Sequence, residues 1–244
     1  MAMKILLTND DGIDAEGLAL LLDFFKTLGD VTVVAPLVQQ SGKSQAIELH
    51  KPYSVKKVDL AGARAAYTVD STPADCVRYA LLGLKERFDL VISGINRGFN
   101  VGEDIAYSGT VGAVYEAERQ GHKAIAMSSD YSSFAGAKAH LAEAYRYITE
   151  HDLLADANIL NVNFPMEAKG IRITRQGYPM YVDDFVCVGE DLYEPRLRCV
   201  YADTKDLDID TDCVMNGYIS ITPLHRDNTD MDVYLKMKEL NKKG

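Results

Sequence analysis

The chain has 244 residues, 47% of them hydrophobic and 25% charged, with a formal net charge of −10. That is enough apolar material for one large core with an appendage, and an acidic balance of this size argues against nucleic acid as a partner. No apolar run approaches the roughly 20 residues that span a bilayer, and no leader sequence precedes the first strand, so a cytoplasmic protein without membrane contact is expected.

Lys4-Ile5-Leu6-Leu7 reads as a short buried strand. It runs into Thr8-Asn9-Asp10-Asp11-Gly12. Two adjacent carboxylates repel each other unless a cation sits between them or one takes a proton. A hard-metal site with oxygen ligands answers that repulsion. The plainer reading is a polar turn, with Asp-Gly as turn chemistry and Asp14 capping the next helix.

Gly17 to Leu28 is apolar on most sides, as a helix packed on a sheet would be. Val31 to Ala35 is a second buried strand, closed by Pro36. Strand, helix and strand in this order form a βαβ unit with a parallel sheet. Neither a GxGxxG nor a GxxxxGK[ST] pattern follows the first strand, which disfavours dinucleotide and P-loop readings. Gln39-Gln40-Ser41-Gly42-Lys43-Ser44 should then lie on the same rim as Asp10 and Asp11. Taken alone it is an ordinary loop.

From Ile47 to Asp70 the pattern changes to short alternating runs, read as antiparallel or edge strands. Ser71-Thr72-Pro73-Ala74-Asp75 gives a cap and a proline at the first helical position, with a helix expected to about Leu84. Asp75 is expected to serve the first helical turn. Asp89 to Ser93 is the next core strand, opening into a long polar loop from Gly94 to Asp104. Tyr107-Ser108-Gly109-Thr110 starts a helix whose N-terminus offers free N–H groups to an anion; plain capping by Ser108 or Thr110 is the structural alternative.

Lys123 to Ser128 is a buried strand, Phe134 to His151 an amphipathic helix, and Asn158 to Phe164 a strand ended by Pro165. His122, His140 and His151 show no ligand spacing and are expected to face solvent. Beyond Pro165 the alternation stops. Ile171 to Thr174 and Gly217 to Leu224 read as strands, and Asp230 to Leu240 as a closing helix. From Asp183 to Asp232 there are 13 acidic against 4 basic residues, so nearly all the net charge sits there. The four cysteines, Cys76, Cys187, Cys199 and Cys213, lack CxxC spacing and suggest neither zinc nor disulfides.

The expected fold class is α/β: a Rossmann-like, mainly parallel sheet with flanking helices over residues 1–165, and an extension over 166–244 with a β-hairpin-rich arm. Four segments should meet on one sheet edge: Asp10-Asp11, Ser41, Asn96 to Asn100, and Ser108-Gly109-Thr110. Carboxylates, a hydroxyl and an amide suit Mg²⁺ or Mn²⁺. A cation beside a helix N-terminus points to phosphoryl chemistry.

These pieces carry a resemblance. Ile5-Leu6-Leu7-Thr8-Asn9-Asp10-Asp11-Gly12, Val33-Val34-Ala35-Pro36, Ser41-Gly42-Lys43-Ser44, Thr72-Pro73-Ala74-Asp75-Cys76-Val77, Ser93-Gly94-Ile95-Asn96-Arg97-Gly98-Phe99-Asn100 and Tyr107-Ser108-Gly109-Thr110-Val111-Gly112-Ala113 stand in the order seen in the SurE, or stationary-phase survival protein E, nucleotidases. Thr211-Asp212 and Gly217 to Leu224 match as well. The chain resembles that family over nearly its whole length. The resemblance implies metal-dependent hydrolysis of nucleoside 5′-, and also 3′-, monophosphates, with one divalent cation per subunit. By position it makes Asp10, Asp11, Ser41 and Asn96 the metal ligands, with Asp10, Asp11 and Asn96 catalytic. Asn100, Ser108, Gly109 and Thr110 become the phosphate ligands. It also implies a homodimer or homotetramer joined through the C-terminal arm. Two departures, Gln40 where a basic residue is common and Ser71 where glycine is common, bear on base or sugar preference. Competing readings are an aspartyl-phosphate phosphatase, which lacks its DxD spacing here, and a non-catalytic nucleotide-binding module that needs no metal.

Overall fold

A computed structural model describes residues 2–243 of the chain. The first apolar run forms β1 (Met3–Thr8), followed by α1 (Glu16–Phe25) and β2 (Gly29–Pro36). Next come β3 (Val55–Val58), β4 (Ala65–Val69) and α2 (Pro73–Arg78), which Thr72 caps by accepting the Asp75 N–H. Then β5 (Leu90–Arg97), α3 (Gly109–Arg119), β6 (Ala124–Ser129), α4 (Ala135–Glu150), a short α5 (Leu153–Asp156) and β7 (Ile159–Phe164) complete the first two-thirds. The remainder holds β8 (Ile171–Ile173), β9 (Tyr181–Gly189), β10 (Leu192–Cys199), α6 (Asp210–Met215), β11 (Ile219–Leu224) and α7 (Met231–Lys238). No helix among the described residues is long and apolar enough to cross a membrane.

Nine strands form one sheet in the order β3-β4-β2-β1-β5-β6-β7-β11-β8. β1 is parallel to both β2 and β5, and β5, β6 and β7 continue the parallel run. Alternation along β1 assigns each face its helices. Ile5 and Leu7 pack with Leu18, Leu21 and Phe25 of α1 and with Leu141 of α4, whereas Leu6 joins Val77 of α2 and Val111 and Val114 of α3. Both faces are therefore covered, which is why the strand sequences are nearly continuous apolar runs. The chain order places β1 between a strand that turns one way and a strand that turns the other. The crevice at the carboxyl ends of β1 and β5 is thus the topological switch point, where open α/β sheets bind ligands.

Several expectations need correction. β4 is not an edge strand: it pairs antiparallel with β3, as the alternation suggests, but parallel with β2 on its other side, and β3 holds the edge. The helix expected to Leu84 is α-helical to Arg78 and continues as a π turn to Gly83. α1 is capped at Ala15 without a side-chain bond, so Asp14 does not cap it. His122 is buried at the turn between α3 and β6, and its imidazole meets the Gln120 carbonyl at 3.1 Å; burial holds its pKa below the usual value. Residue 165 is no break in the sheet, because β11 pairs antiparallel with β7 and carries β8 at the outer edge. What leaves the sheet is the β9–β10 hairpin, a separate antiparallel pair. Its Phe185, Leu192, Tyr193 and Leu197 are exposed, as are the apolar side chains of α7.

Candidate active site

Asn9 builds the turn after β1. Its amide donates to the Gly12 carbonyl at 2.7 Å and accepts the Gly12 N–H at 3.1 Å. Gly12 has φ +102°, a conformation that side chains resist. This clasp sets Asp10 and Asp11 side by side at the rim. Asp10 is buried, and its Oδ1 accepts a 2.5 Å hydrogen bond from the Thr110 hydroxyl. The Asp10 carbonyl accepts the Gln40 N–H at 2.7 Å, which ties the 39–44 loop to the same turn. Gln39 then bridges the two segments, its amide donating to Asp11 Oδ1 at 3.2 Å and to Ser41 Oγ at 3.0 Å.

β5 supplies the facing side. It runs to Arg97, further than the polar composition of the segment suggests, with its pairing to β6 interrupted between Ser93 and Asn96. Asn96 turns its amide nitrogen to the Gly98 carbonyl at 2.8 Å, which leaves its amide oxygen for the cavity. The Arg97 guanidinium pairs with Glu16 at 3.0 Å and lies 4.5 Å over the Phe134 ring. Its backbone N–H and its charge both favour the ionised form of Asp11.

α3 enters from below. Ser108 caps it, its Oγ accepting the Val111 N–H at 3.1 Å. A side chain at Gly109 would put its Cβ 3.0 Å from the Asp10 Cβ and 3.2 Å from Oδ2, so only glycine lets this helix end approach the carboxylate so closely. The consequence is electrostatic as well as steric, since the positive end of the helix dipole sits against Asp10.

Burial dominates both acids. It pushes Asp10 up to about 6, with the Thr110 bond opposing and the neighbouring Asp11 adding to the rise. Burial also raises Asp11, with the Arg97 N–H and Gln39 opposing. Two desolvated carboxylates at one point make a strong demand for positive charge. The available donors are Asp10, Asp11, Ser41 Oγ and the Asn96 amide oxygen, an all-oxygen set that can hold a small hard cation. Among the described residues no group of three or more His, Cys, Asp or Glu forms a metal cluster, so the neutral oxygens are needed to complete such a site.

A cavity of about 570 Å³ opens over this arrangement, within the range of small-molecule sites. Asp10, Asp11, Ser41, Asn96, Asn100 and Ser108 all line it. The four segments expected on one edge therefore do meet. Thr110 differs from the expectation: it is fully buried, does not line the cavity, and spends its hydroxyl on Asp10 instead of on a phosphate. Gly109 likewise lies behind the wall, where it permits the close approach. Gln39, Arg97, Tyr107 and Tyr131 line the cavity without having been singled out. Gln39 and Arg97 lie inside segments already marked. Tyr131 follows β6 at the same sheet edge, a position that only the strand order reveals.

A family model described as "Survival protein SurE" matches residues 5–183. A "5'-nucleotidase SurE" of Natranaerobius thermophilus is 38% identical over 95% of this chain and 96% of its own length. One from Syntrophotalea carbinolica is 42% identical over 93% of each. The crystal structure of the SurE protein from Aquifex aeolicus superposes with a TM-score of 0.80 at 35% identity, covering 98% of this chain and 99% of that one. Sequence, fold and rim geometry lead to one placement: the chain belongs to the SurE family.

Proposed function

We propose that the protein is a divalent-metal-dependent phosphomonoesterase acting on nucleoside monophosphates. The observation that carries this reading is the juxtaposition in one cavity of two adjacent carboxylates, Asp10 buried and Asp11 half-buried, and the N-terminus of α3. One half of the site asks for a cation and the other for an anion. A metal-bound phosphate monoester satisfies both at once. The names of the nucleotidase relatives support the nucleoside class.

Asp10, Asp11, Ser41 and Asn96 would hold the cation. When bound, Mg²⁺ or Mn²⁺ supplies positive charge beside the phosphoryl oxygens, where charge develops during transfer. The chain's own residues do the positioning. Thr110 fixes the Asp10 carboxylate, and Gln39 fixes Asp11 and Ser41 together. The Ser108 hydroxyl, on the cavity wall where α3 starts, would donate to the phosphoryl group. Arg97 adds positive charge to the wall. Tyr107 and Tyr131 stand at the cavity, 66% and 76% exposed as residues, and their rings offer apolar faces suited to a nucleoside and of little use to inorganic phosphate.

The exposed apolar faces of the β9–β10 hairpin and α7 support a second element of the proposal. A lone hairpin cannot bury such side chains. They fit the same surfaces of another copy of the chain, giving a homodimer or homotetramer.

The substitution Asp11→Asn tests the enzymatic reading. It keeps the shape of the side chain and removes one of the two charges that a cation needs. Phosphate release from a nucleoside monophosphate should fall at least about a hundredfold while circular dichroism stays unchanged. Wild-type rates in the variant would overturn the reading. A phospho-enzyme trapped on Asp10 would favour the aspartyl-phosphate route.

A further inference from the structure

Three buried amides beside the cavity are unexplained by strand packing. Asn161 and Asn163 lie on β7, an interior strand of the sheet, and both are fully buried. Such a position is ordinarily apolar. Here both side chains converge on one residue of the cavity wall. Asn161 Nδ2 and Asn163 Nδ2 donate to the Asn100 carbonyl at 2.7 and 3.0 Å, and Asn163 Oδ1 accepts the Asn100 N–H at 2.9 Å. The Asn100 side chain is held separately. Its Nδ2 donates to Ser128 Oγ at 2.7 Å, and Ser128 is the register partner of Asn163 on β6.

The arrangement has a cost. Asn161 Oδ1 is buried without a hydrogen-bond partner. A valine would spare that cost and pack as well. The expense is understandable if what matters is the place of Asn100. Both backbone polar groups of that residue and one of its two side-chain N–H groups are fixed, which leaves the second side-chain N–H unused on a residue that lines the cavity.

We propose that Ser128, Asn161 and Asn163 are positioning residues that hold Asn100 so that its remaining amide N–H donates to the phosphoryl group. This rests on the phosphomonoesterase reading given above. None of the three lines the cavity, so any effect they have on it passes through Asn100.

Ser128→Ala is the mildest probe, since it deletes one oxygen from the pair and little volume. Its kcat should fall about tenfold, with the affinity for Mn²⁺ and the melting temperature close to those of the wild type. Ser128→Thr, which retains the hydroxyl, should recover to within about threefold. The decisive comparison is the double substitution. If Ser128 acts through Asn100, Asn100→Ala with Ser128→Ala should be no slower than Asn100→Ala alone. Additive losses, or a Ser128→Ala variant with wild-type kcat, would overturn the proposal. Calorimetric titration of inorganic phosphate into the Mn²⁺-loaded protein reads the same contact without turnover. Affinity should weaken about tenfold in Ser128→Ala and in Asn100→Ala alike. A wild-type protein that binds phosphate but hydrolyses no nucleotide would defeat the phosphomonoesterase reading and leave this second measurement to decide on Asn100.

Discussion

Thr110 shows how a residue can be found for one reason and used for another. A hydroxyl at the start of a helix signals an anion site, and the helix is indeed beside the cavity. The hydroxyl nevertheless serves Asp10, a residue 100 positions earlier in the chain. Sequence marks such a residue; only the pairing of β1 with β5, which brings α3 beneath the first turn, assigns its partner. Thr110→Val should therefore act through the carboxylate. The bond it deletes, to a charged acceptor, is worth roughly 1.5–3 kcal/mol. Activity should drop at least about tenfold, and the affinity for Mn²⁺ should change with it. Weakened activity with unaltered Mn²⁺ affinity would show that the hydroxyl contacts substrate. The raised pKa of Asp10 gives a second residue-scale prediction. Its folded value of about 6 lies above the ordinary 3.8, so the folded state holds the proton more tightly than the unfolded one. In EDTA, stability should fall as pH rises from about 4 to about 6, by up to about 3 kcal/mol, and level off above that. Thermal melts across this range should show the slope in the wild type and lose most of it in Asp10→Asn. Added Mn²⁺ should restore stability above pH 6, where the carboxylate is ionised.

At the scale of elements, the core strands were legible because burial on both faces writes itself as an apolar run: β1, β2, β6 and β7 stand where expected, and β5 does as far as Ser93, continuing to Arg97 through residues whose polarity reads as a loop. β4 did not, because Ala65 and Tyr67 are only half-buried and the alternation imitates an edge strand. α6 has six residues, too few for a helical period to emerge among its aspartates. Those aspartates do structural work. Asp210 accepts N–H bonds from Gly102, Gly177 and Thr211, and Asp212 accepts from Thr204 and Asp206. Part of the acidic excess is thus satisfied inside the chain and is not a solvated face. A deletion aimed at the arm must spare it. The register supplies a clean cut, because Tyr181 and Cys199 face each other at the root of the hairpin. Replacing residues 182–198 with a short Gly/Ser turn should leave the sheet and α6 intact and reduce the oligomer. Light scattering should then report a smaller assembly than the wild type. An unchanged mass would place the contact elsewhere, with α7 as the next surface to examine.

For the molecule as a whole, the sheet order explains why four segments scattered from residue 10 to residue 110 form one site. Each follows the carboxyl end of a strand or opens a helix at the switch between β1 and β5. The candidate site was legible to that extent: composition at strand ends marked Asp10, Asp11, Ser41, Asn96, Asn100 and Ser108, and the fold brings all six to one cavity. What sequence could not show was how Gln39, Ser128, Asn161 and Asn163 hold those residues, since hydrogen bonds between segments distant in the chain leave no local pattern. The adjacent Asp10 and Asp11 carboxylates are expected to work only with a cation. The direct measurement is the rate of phosphate release from a nucleoside monophosphate, followed as the wild-type protein is first stripped with EDTA and then given excess Mn²⁺ or Mg²⁺. Release should stop on chelation and resume on addition of the metal. Release that continues at the initial rate in EDTA would contradict it.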